Sequence, residues 1–252
     1  MKYTRSSDRA GITEIFSSLQ GEGPRMGERH IFVRFEACHM ACAYCDEVDK
    51  KSVEMSVADI LKEVVRLEKK SGPHACVSLT GGEPLLYADF LKRLCPELKK
   101  EKFRILLETS GVLWQQLSRI VGACDIIAMD LKLSSVTRQK EFLEDHRKFL
   151  KLAKRKEVYI KVVVSKKVDL CEYDEHLRMV AQVAPHTPVF LQPAYVTGRG
   201  APASARRPMC CGKGVYPDPA LMRFLDELQR TGAKRLSDVR VGIQLQKLMN
   251  IR

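Results

Sequence analysis

Residues 75–111 read ACVSLTGGEPLLYADFLKRLCPELKKEKFRILLETSG. An apolar run at 75–79 stops at a polar, glycine-rich turn, Thr80-Gly81-Gly82-Glu83-Pro84. Apolar residues then recur at helical spacing through DFLKRLCPELKK, and a second apolar run, FRILL, stops at Glu108-Thr109-Ser110-Gly111. Short apolar runs alternating with helical segments are the signature of βα units, whose strands pair in parallel.

The unit repeats in both directions. Upstream, Ser56 with Asp59 makes a capping-box pattern; Ile60, Leu61, Val64, Val65 and Leu67 follow at helical spacing, and Gly72 ends the helix. Downstream, a helix through LWQQLSRIV leads to DIIAM and then DLKLSS. A charged helix across about 140–154 leads to EVYIKVVV and SKK, and one across about 172–184 leads to PVFLQP. Polar residues therefore fall at the C-terminal ends of five successive strands: Thr80 to Glu83, Glu108 to Gly111, Asp130 with Lys132, Ser165, and Gln192. Ligands bind at that edge of parallel α/β sheets and βα barrels, so the five clusters predict one shared site over the mouth of a full or partial barrel.

No linker rich in Pro, Gly or Ser splits the chain, and 1–252 is read as a single domain. Its parts are a hairpin-like N-terminal segment (1–36), a core (37–196), and a C-terminal loop, helix and tail (197–252). The stretch TGRGAPASARRPMCCGKGVYPDP (197–219) predicts a long surface loop.

With 45% hydrophobic and 29% charged residues, the composition is that of an ordinary globular protein. The N-terminus lacks the apolar run of a signal peptide, and no stretch approaches the ~20 apolar residues of a membrane span. A cytoplasmic protein without a membrane partner is expected. Nine cysteines, an odd number, argue against disulfides in that reducing setting. Cys76, Cys95 and Cys124 lie in apolar runs and are read as small core residues. The net charge of +12 suits an anionic partner. Its local runs, KRKEVYIK and SKK, are read as solvated basic surface. No aromatic-interleaved basic motif is present, so nucleic acid is not the expected partner.

Three cysteines resist the core reading. FEACHMACAYCDEVDK (35–50) places Cys38, Cys42 and Cys45 at C-x3-C-x2-C. A structural zinc wants four ligands, usually as two pairs, and only His39 stands near as a fourth. Cubane iron–sulfur clusters also take thiolates, normally four. Three would leave one iron open to a substrate or cofactor.

This triplet with Tyr44 before its last cysteine, and with TGGEP after the next core strand, resembles the radical S-adenosylmethionine superfamily. SSLQGEG (17–23), IFVRFEAC, CAYCD, LTGGEPLL, LETSG, MDLKLSS, LQPAY and VGIQLQKLMNIR are together similar to one family within it, the 7-carboxy-7-deazaguanine synthases of queuosine biosynthesis. The resemblance implies an α/β fold, a modified partial (β/α) barrel with parallel strands and helices outside. It implies a lyase that converts 6-carboxy-5,6,7,8-tetrahydropterin to 7-carboxy-7-deazaguanine with loss of ammonia. It assigns a 4Fe-4S cluster to Cys38, Cys42 and Cys45, and S-adenosylmethionine to Tyr44, Gly81, Gly82, Glu83, Thr109, Ser110, Lys132, Ser134 and Gln192. Gln20, Glu22, Arg34, Thr80 and Gln246 fall to the pterin carboxylate: a guanidinium pairs with a carboxylate, and Glu or Gln reads pterin N–H groups. A reductant such as flavodoxin or ferredoxin is implied as a partner, and pairing into a homodimer is left open. No side-chain nucleophile is required.

Two positions depart from the family pattern. Asp46-Glu47 stands where typical members carry Asp-Thr, whose threonine helps bind Mg2+; glutamate is itself a hard-oxygen ligand, so Glu47 is the candidate for that ion. Gln246 replaces the histidine of a C-terminal Gln-x-His-Lys, which removes a group titrating near neutral pH. The alternative readings are a related radical enzyme acting on another small anionic heterocycle or peptide, and an enzyme that installs a glycyl radical on a partner protein. A zinc-holding binding protein lacks its fourth ligand. Cys210 and Cys211 have no role in any of these readings.

Overall fold

The computed structural model describes residues 8–45, 50–194 and 219–249. Its centre is a nine-stranded sheet. Two strands, β1 (Arg9–Leu19) and β2 (Arg29–Phe35), form the expected antiparallel hairpin, with Phe16 opposite Phe32. Short β3 (Val53–Ser56) flanks β1 on the edge. From β2 onward every pairing is parallel, through β4 (Cys76–Gly81), β5 (Ile105–Thr109), β6 (Ile126–Asp130), β7 (Glu157–Val164), β8 (Val189–Pro193) and β9 (Val239–Val241). The two edge strands, β3 and β9, do not meet, so the barrel is partial. Because β2 pairs directly with β4, the N-terminal hairpin belongs to the main sheet.

Helices follow where the periodicity places them. Helix α1 (Val57–Ser71) starts at the capping box: Ser56 Oγ accepts from Asp59 N at 3.2 Å, and the Asp59 carboxylate accepts from Ser56 N at 2.9 Å. Its buried stripe is Ile60, Val64 and Leu67. The next helices are α2 (Ala88–Lys100), α3 (Trp114–Ile120), α4 (Ser134–Thr137), α5 (Leu143–Ala153) and α6 (Leu170–Val183). After the undescribed 195–218 come α7 (Pro219–Ala233) and α8 (Leu245–Met249). Sequence reading missed β3, β9, α4 and α8. Each has only three to five residues, too few to show a period.

Alternation along the strands divides the core. Ile31, Val33, Val77, Leu79, Ile105, Leu107, Ile127, Met129, Ile160, Val162 and Leu191 belong to the main apolar cluster with the helices. Cys95 and Cys124 lie in it as small, inert core residues, and burial pushes the Cys124 thiol up to about 12. The opposite phase forms a thin apolar layer of Cys76, Leu106, Ile126, Ala128, Tyr159 and Phe190. Toward the strands' C-terminal ends, the same phase turns polar: Thr80, Glu108, Asp130, Lys161 and Gln192.

Candidate functional site

A pocket opens at that edge. It is lined by Cys38, Cys42, Tyr44 and Cys45 after β2, Thr80 to Gly82, Glu108 to Ser110, Asp130, Lys132, Lys161 and Gln192. Glu22, after β1, and Gln244 and Lys247, from the C-terminal segment, close it. Four of the five polar clusters expected at strand ends thus share one cavity. The fifth does not: Ser165 is turn chemistry, its hydroxyl accepting from Lys167 N at 3.2 Å and its carbonyl from Val168 N at 3.1 Å.

The glycine pair is required for a reason other than ligand approach alone. Gly81 sits at φ +111°, and a Cβ there would collide with the Phe35 backbone; one on Gly82 would collide with the Ala37 carbonyl. The contact is adhesive: Gly82 N donates to Phe35 O at 2.8 Å and Glu83 N to Ala37 O at 2.7 Å. The turn after β4 therefore holds the base of the cysteine loop. Glu83 points inward, fully buried, and its carboxylate accepts from Thr109 Oγ1 at 2.8 Å, Ser110 N at 2.9 Å and Leu85 N at 3.1 Å. It ties the β4 and β5 turns together instead of lining the cavity.

Lys132 is no loose surface lysine. Its Nζ donates to Asp130 at 2.7 Å and Tyr44 Oη at 3.3 Å, and lies 5.4 Å from the Tyr44 ring centroid. Burial opposes its charge, but Asp130 and Tyr44 outweigh it and raise its pKa well above the usual lysine value. The far end of the cysteine loop is thereby anchored to β6. Gln139 Nε2 adds a bond to Ala41 O at 3.1 Å, and Ala43 N one to Thr137 O at 3.2 Å.

The donor set of that loop discriminates between metals. Two sulfurs on one zinc, each about 2.3 Å from it, lie within about 4.6 Å of each other. Among the described residues, the group of three potential ligand atoms all within 4.8 Å is Glu28, His30 and Cys76, not the cysteine triplet. Cys38, Cys42 and Cys45 thus face one pocket without converging on a point, which fits a multi-iron cluster and not a single ion. Beside them Ser110 Oγ is buried without a hydrogen bond among the described residues. That is a free polar group at the place assigned to S-adenosylmethionine.

The strongest electrostatic feature was not singled out from sequence. Lys161, read there as part of a solvated basic run, is buried. Its Nζ lies 2.8 Å from Glu22 Oε2, 3.4 Å from Glu108 Oε2 and 3.4 Å from Asp130 Oδ1. Burial would raise the Glu22 pKa, but Lys161 and the Gln244 amide outweigh it and bring it down to about 2. Gln244 Nε2 reaches Glu22 Oε1 at 2.5 Å and Gln246 Nε2 reaches it at 3.2 Å, while Gln20 Nε2 donates to Glu108 Oε1 at 3.1 Å. The sequence signal was a lone cation in the apolar strand EVYIKVVV, in phase with Tyr159 and Val163. A buried strand hides such a charge only if carboxylates meet it.

Other expected residues stand at a remove. Arg34 is in register with Thr80 but does not line the cavity; its guanidinium lies 5.2 Å from the Phe16 ring centroid and 4.0 Å from Glu14. Ser134 lies at the start of α4, its N–H donating to Glu172 at 2.5 Å. Gln20 and Gln246 reach the ionic layer without lining the cavity. Glu47, the magnesium candidate, and Cys210 and Cys211 lie outside the described residues.

Comparisons with known proteins agree with this geometry. A profile described as the radical SAM superfamily matches residues 32–180. The 7-carboxy-7-deazaguanine synthase of Geobacter sulfurreducens is 32% identical over 260 residues, spanning 95% of this chain and 97% of its own. That of Methanopyrus kandleri is 34% identical over 204 residues, spanning 73% and 80%. Among solved structures, QueE from Escherichia coli is similar with a TM-score of 0.59 at 19% identity, covering 94% of each chain. Streptococcus suis SuiB bound to S-adenosylmethionine is similar with a TM-score of 0.57 at 14% identity, covering 82% of this chain and 48% of its own.

Proposed function

The chain belongs to the radical S-adenosylmethionine superfamily and, within it, to the 7-carboxy-7-deazaguanine synthase family, and from that premise we propose that it converts 6-carboxy-5,6,7,8-tetrahydropterin to 7-carboxy-7-deazaguanine with loss of ammonia. The observation that carries the reading is a single pocket holding three non-convergent cysteines, the Gly81-Gly82 turn and the Glu22–Lys161–Glu108 layer. Cys38, Cys42 and Cys45 would hold a 4Fe-4S cluster. Gly81, Gly82, Thr109, Ser110, Lys132, Tyr44 and Gln192 would line the S-adenosylmethionine site. When bound, these groups would supply radical chemistry able to abstract hydrogen from pterin C6.

The chain's own task is orientation and exclusion. Glu22, with Gln20 and Gln246 behind the layer and Thr80 beside it, would read the N–H edge of the pterin. Arg34, in register with Thr80, would pair with its carboxylate. Glu83 and Ser134 would act one step back, bracing the turns that carry Thr109, Ser110 and Lys132. Glu47 would hold Mg2+, and the electron would come from a small reductant such as flavodoxin or ferredoxin.

The test is an anaerobic preparation reconstituted with iron and sulfide, assayed for 5′-deoxyadenosine with and without carboxytetrahydropterin. An iron–sulfur chromophore and a deazaguanine product are expected. Zinc in place of iron would overturn the cofactor assignment; cofactor cleavage with no deazaguanine would overturn the substrate. Repeating the assay with and without magnesium, in wild type and Glu47→Thr, tests the metal: a rate unmoved by magnesium in both proteins removes it from the reading.

A further inference from the structure

Lys161 serves three carboxylates at once, and all three line the pocket with it; Asp130 is also bound by Lys132 at 2.7 Å, which leaves Glu22 and Glu108 as the two that depend on Lys161 for their cation. Each of these two spends one oxygen on Lys161 and the other on a glutamine amide: Gln244 and Gln246 for Glu22, Gln20 for Glu108. A carboxylate offers about four lone-pair sites, so acceptor capacity is left over on both. The pair is thus fixed in orientation and still able to accept. We infer that Lys161 is a positioning residue which holds the Glu22 and Glu108 carboxyl groups side by side as a double acceptor, selecting ligands with an edge of adjacent N–H donors. The aminopyrimidinone edge of a pterin is such an edge. The inference rests on the reading above and deepens it by naming what sets specificity.

The alternative fate of these carboxylates makes the role testable. Lys161 is faced by Glu22 from the segment after β1, Glu108 from β5 and Asp130 from β6, with Lys132 beyond Asp130 and Tyr159 on its own strand. Without its charge, the buried carboxylates are left with like charges and poor solvation. Groups in that position take up and share a proton. A protonated carboxyl presents a hydrogen to the ligand's N–H where an acceptor is needed. The loss is therefore greatest at low pH and recovers as pH rises.

The experiment measures binding of the fluorescent probe 6-carboxypterin to reconstituted enzyme loaded with S-adenosylmethionine and kept oxidised, so that nothing turns over. Wild type, Lys161→Met and Lys161→Arg are compared at about pH 5.5 and about pH 7.5, with the Arg variant correcting for the ligand's own ionisation. Lys161→Met is expected to bind ~10–100-fold more weakly at the lower pH, the loss of charge-assisted hydrogen bonds, and to recover about tenfold at the higher. Lys161→Arg is expected to follow wild type. Binding by Lys161→Met within about twofold of wild type at both pH values overturns the inference. So does an Arg variant as weak as Met with no pH dependence, which marks a packing role. Should Lys161→Met fail to fold, Lys161→Gln is the second variant, keeping a donor without the charge; binding weaker at the lower pH and recovering at the higher supports the inference, and wild-type binding at both overturns it. A wild type that neither binds the probe nor makes deazaguanine refutes the substrate reading itself, whereas binding unchanged in Lys161→Met refutes only the role of Lys161.

Discussion

The inner face of the sheet carries ionic groups at both ends, and the two ends use them differently. At the N-terminal end, Arg25 donates to Glu28 at 3.0 and 3.2 Å and to both Glu157 oxygens at 2.8 Å or less, and Arg104 reaches Glu157 at 3.2 Å. His30 bridges Ser78 at 2.8 Å and Glu28 at 3.3 Å. Burial lowers the His30 pKa, leaving it neutral near pH 7. Cys76 completes a triplet with Glu28 and His30 whose atoms lie within 4.8 Å, yet Arg25 and Ser78 already occupy the carboxylate and the ring. That end is a plug, its charges matched one against another. At the other end Lys161 and Lys132 meet three carboxylates, Glu22, Glu108 and the shared Asp130, and all three residues line the cavity. Separated by the layer of Leu106, Ala128, Tyr159 and Phe190, similar residues make a seal below and a receptor above.

The contrast can be broken at either end. The largest effect is expected from Cys42→Ala: no iron–sulfur absorbance after reconstitution and no 5′-deoxyadenosine above background, read by visible spectroscopy and chromatography. Next, Glu108→Gln at the mouth is expected to lower kcat/KM ~10–100-fold, since it removes a charged acceptor. Arg25→Met at the floor should leave kcat/KM within about twofold while costing about 1 kcal/mol in denaturant unfolding, because it removes the cation bonded to half-buried Glu28 and exposed Glu157. A floor variant that loses activity at unchanged stability would erase the distinction.

A smaller effect concerns acid. Glu22, held down at about 2 by Lys161 against burial, adds stability that is complete above the ordinary carboxylate value of 4.5 and is lost as pH falls toward 2. His146, buried beside His176 and accepting from Lys132 N at 3.3 Å, is held neutral, its pKa lowered to about 3 by burial first and His176 second. The unfolded chain takes up that proton from about pH 6.5 downward, so stability declines between the two values. Thermal unfolding against pH should show His146→Gln declining less steeply than wild type across that window. The smallest effect is the cap: Ser56→Ala should cost about 1 kcal/mol and leave activity unchanged.

What the sequence could say depended on how local the cause was. The βα rhythm, the capping box and the cysteine spacing are contained in windows of a few to a few dozen residues, and the structure reproduces them. Lys161 was misread because its partner Glu22 lies 139 residues away, and a strand lysine looks alike in sequence whether solvated or encircled by carboxylates. The amides of Gln244 and Gln246 reach Glu22 across 222 and 224 residues, one just before and one on a five-residue helix with no periodicity to detect. Gly81 and Gly82 were legible as a glycine-rich turn at a strand end. That the crowding atoms belong to Phe35 and Ala37 followed only from strand register.

The central claim is that this mouth presents the pterin C6 to the cofactor. The direct measurement is turnover of carboxytetrahydropterin carrying deuterium at C6, with mass analysis of the recovered 5′-deoxyadenosine and S-adenosylmethionine. The account predicts deuterium in the 5′-deoxyadenosyl moiety together with 7-carboxy-7-deazaguanine. Deazaguanine formed with no deuterium in that moiety would contradict it.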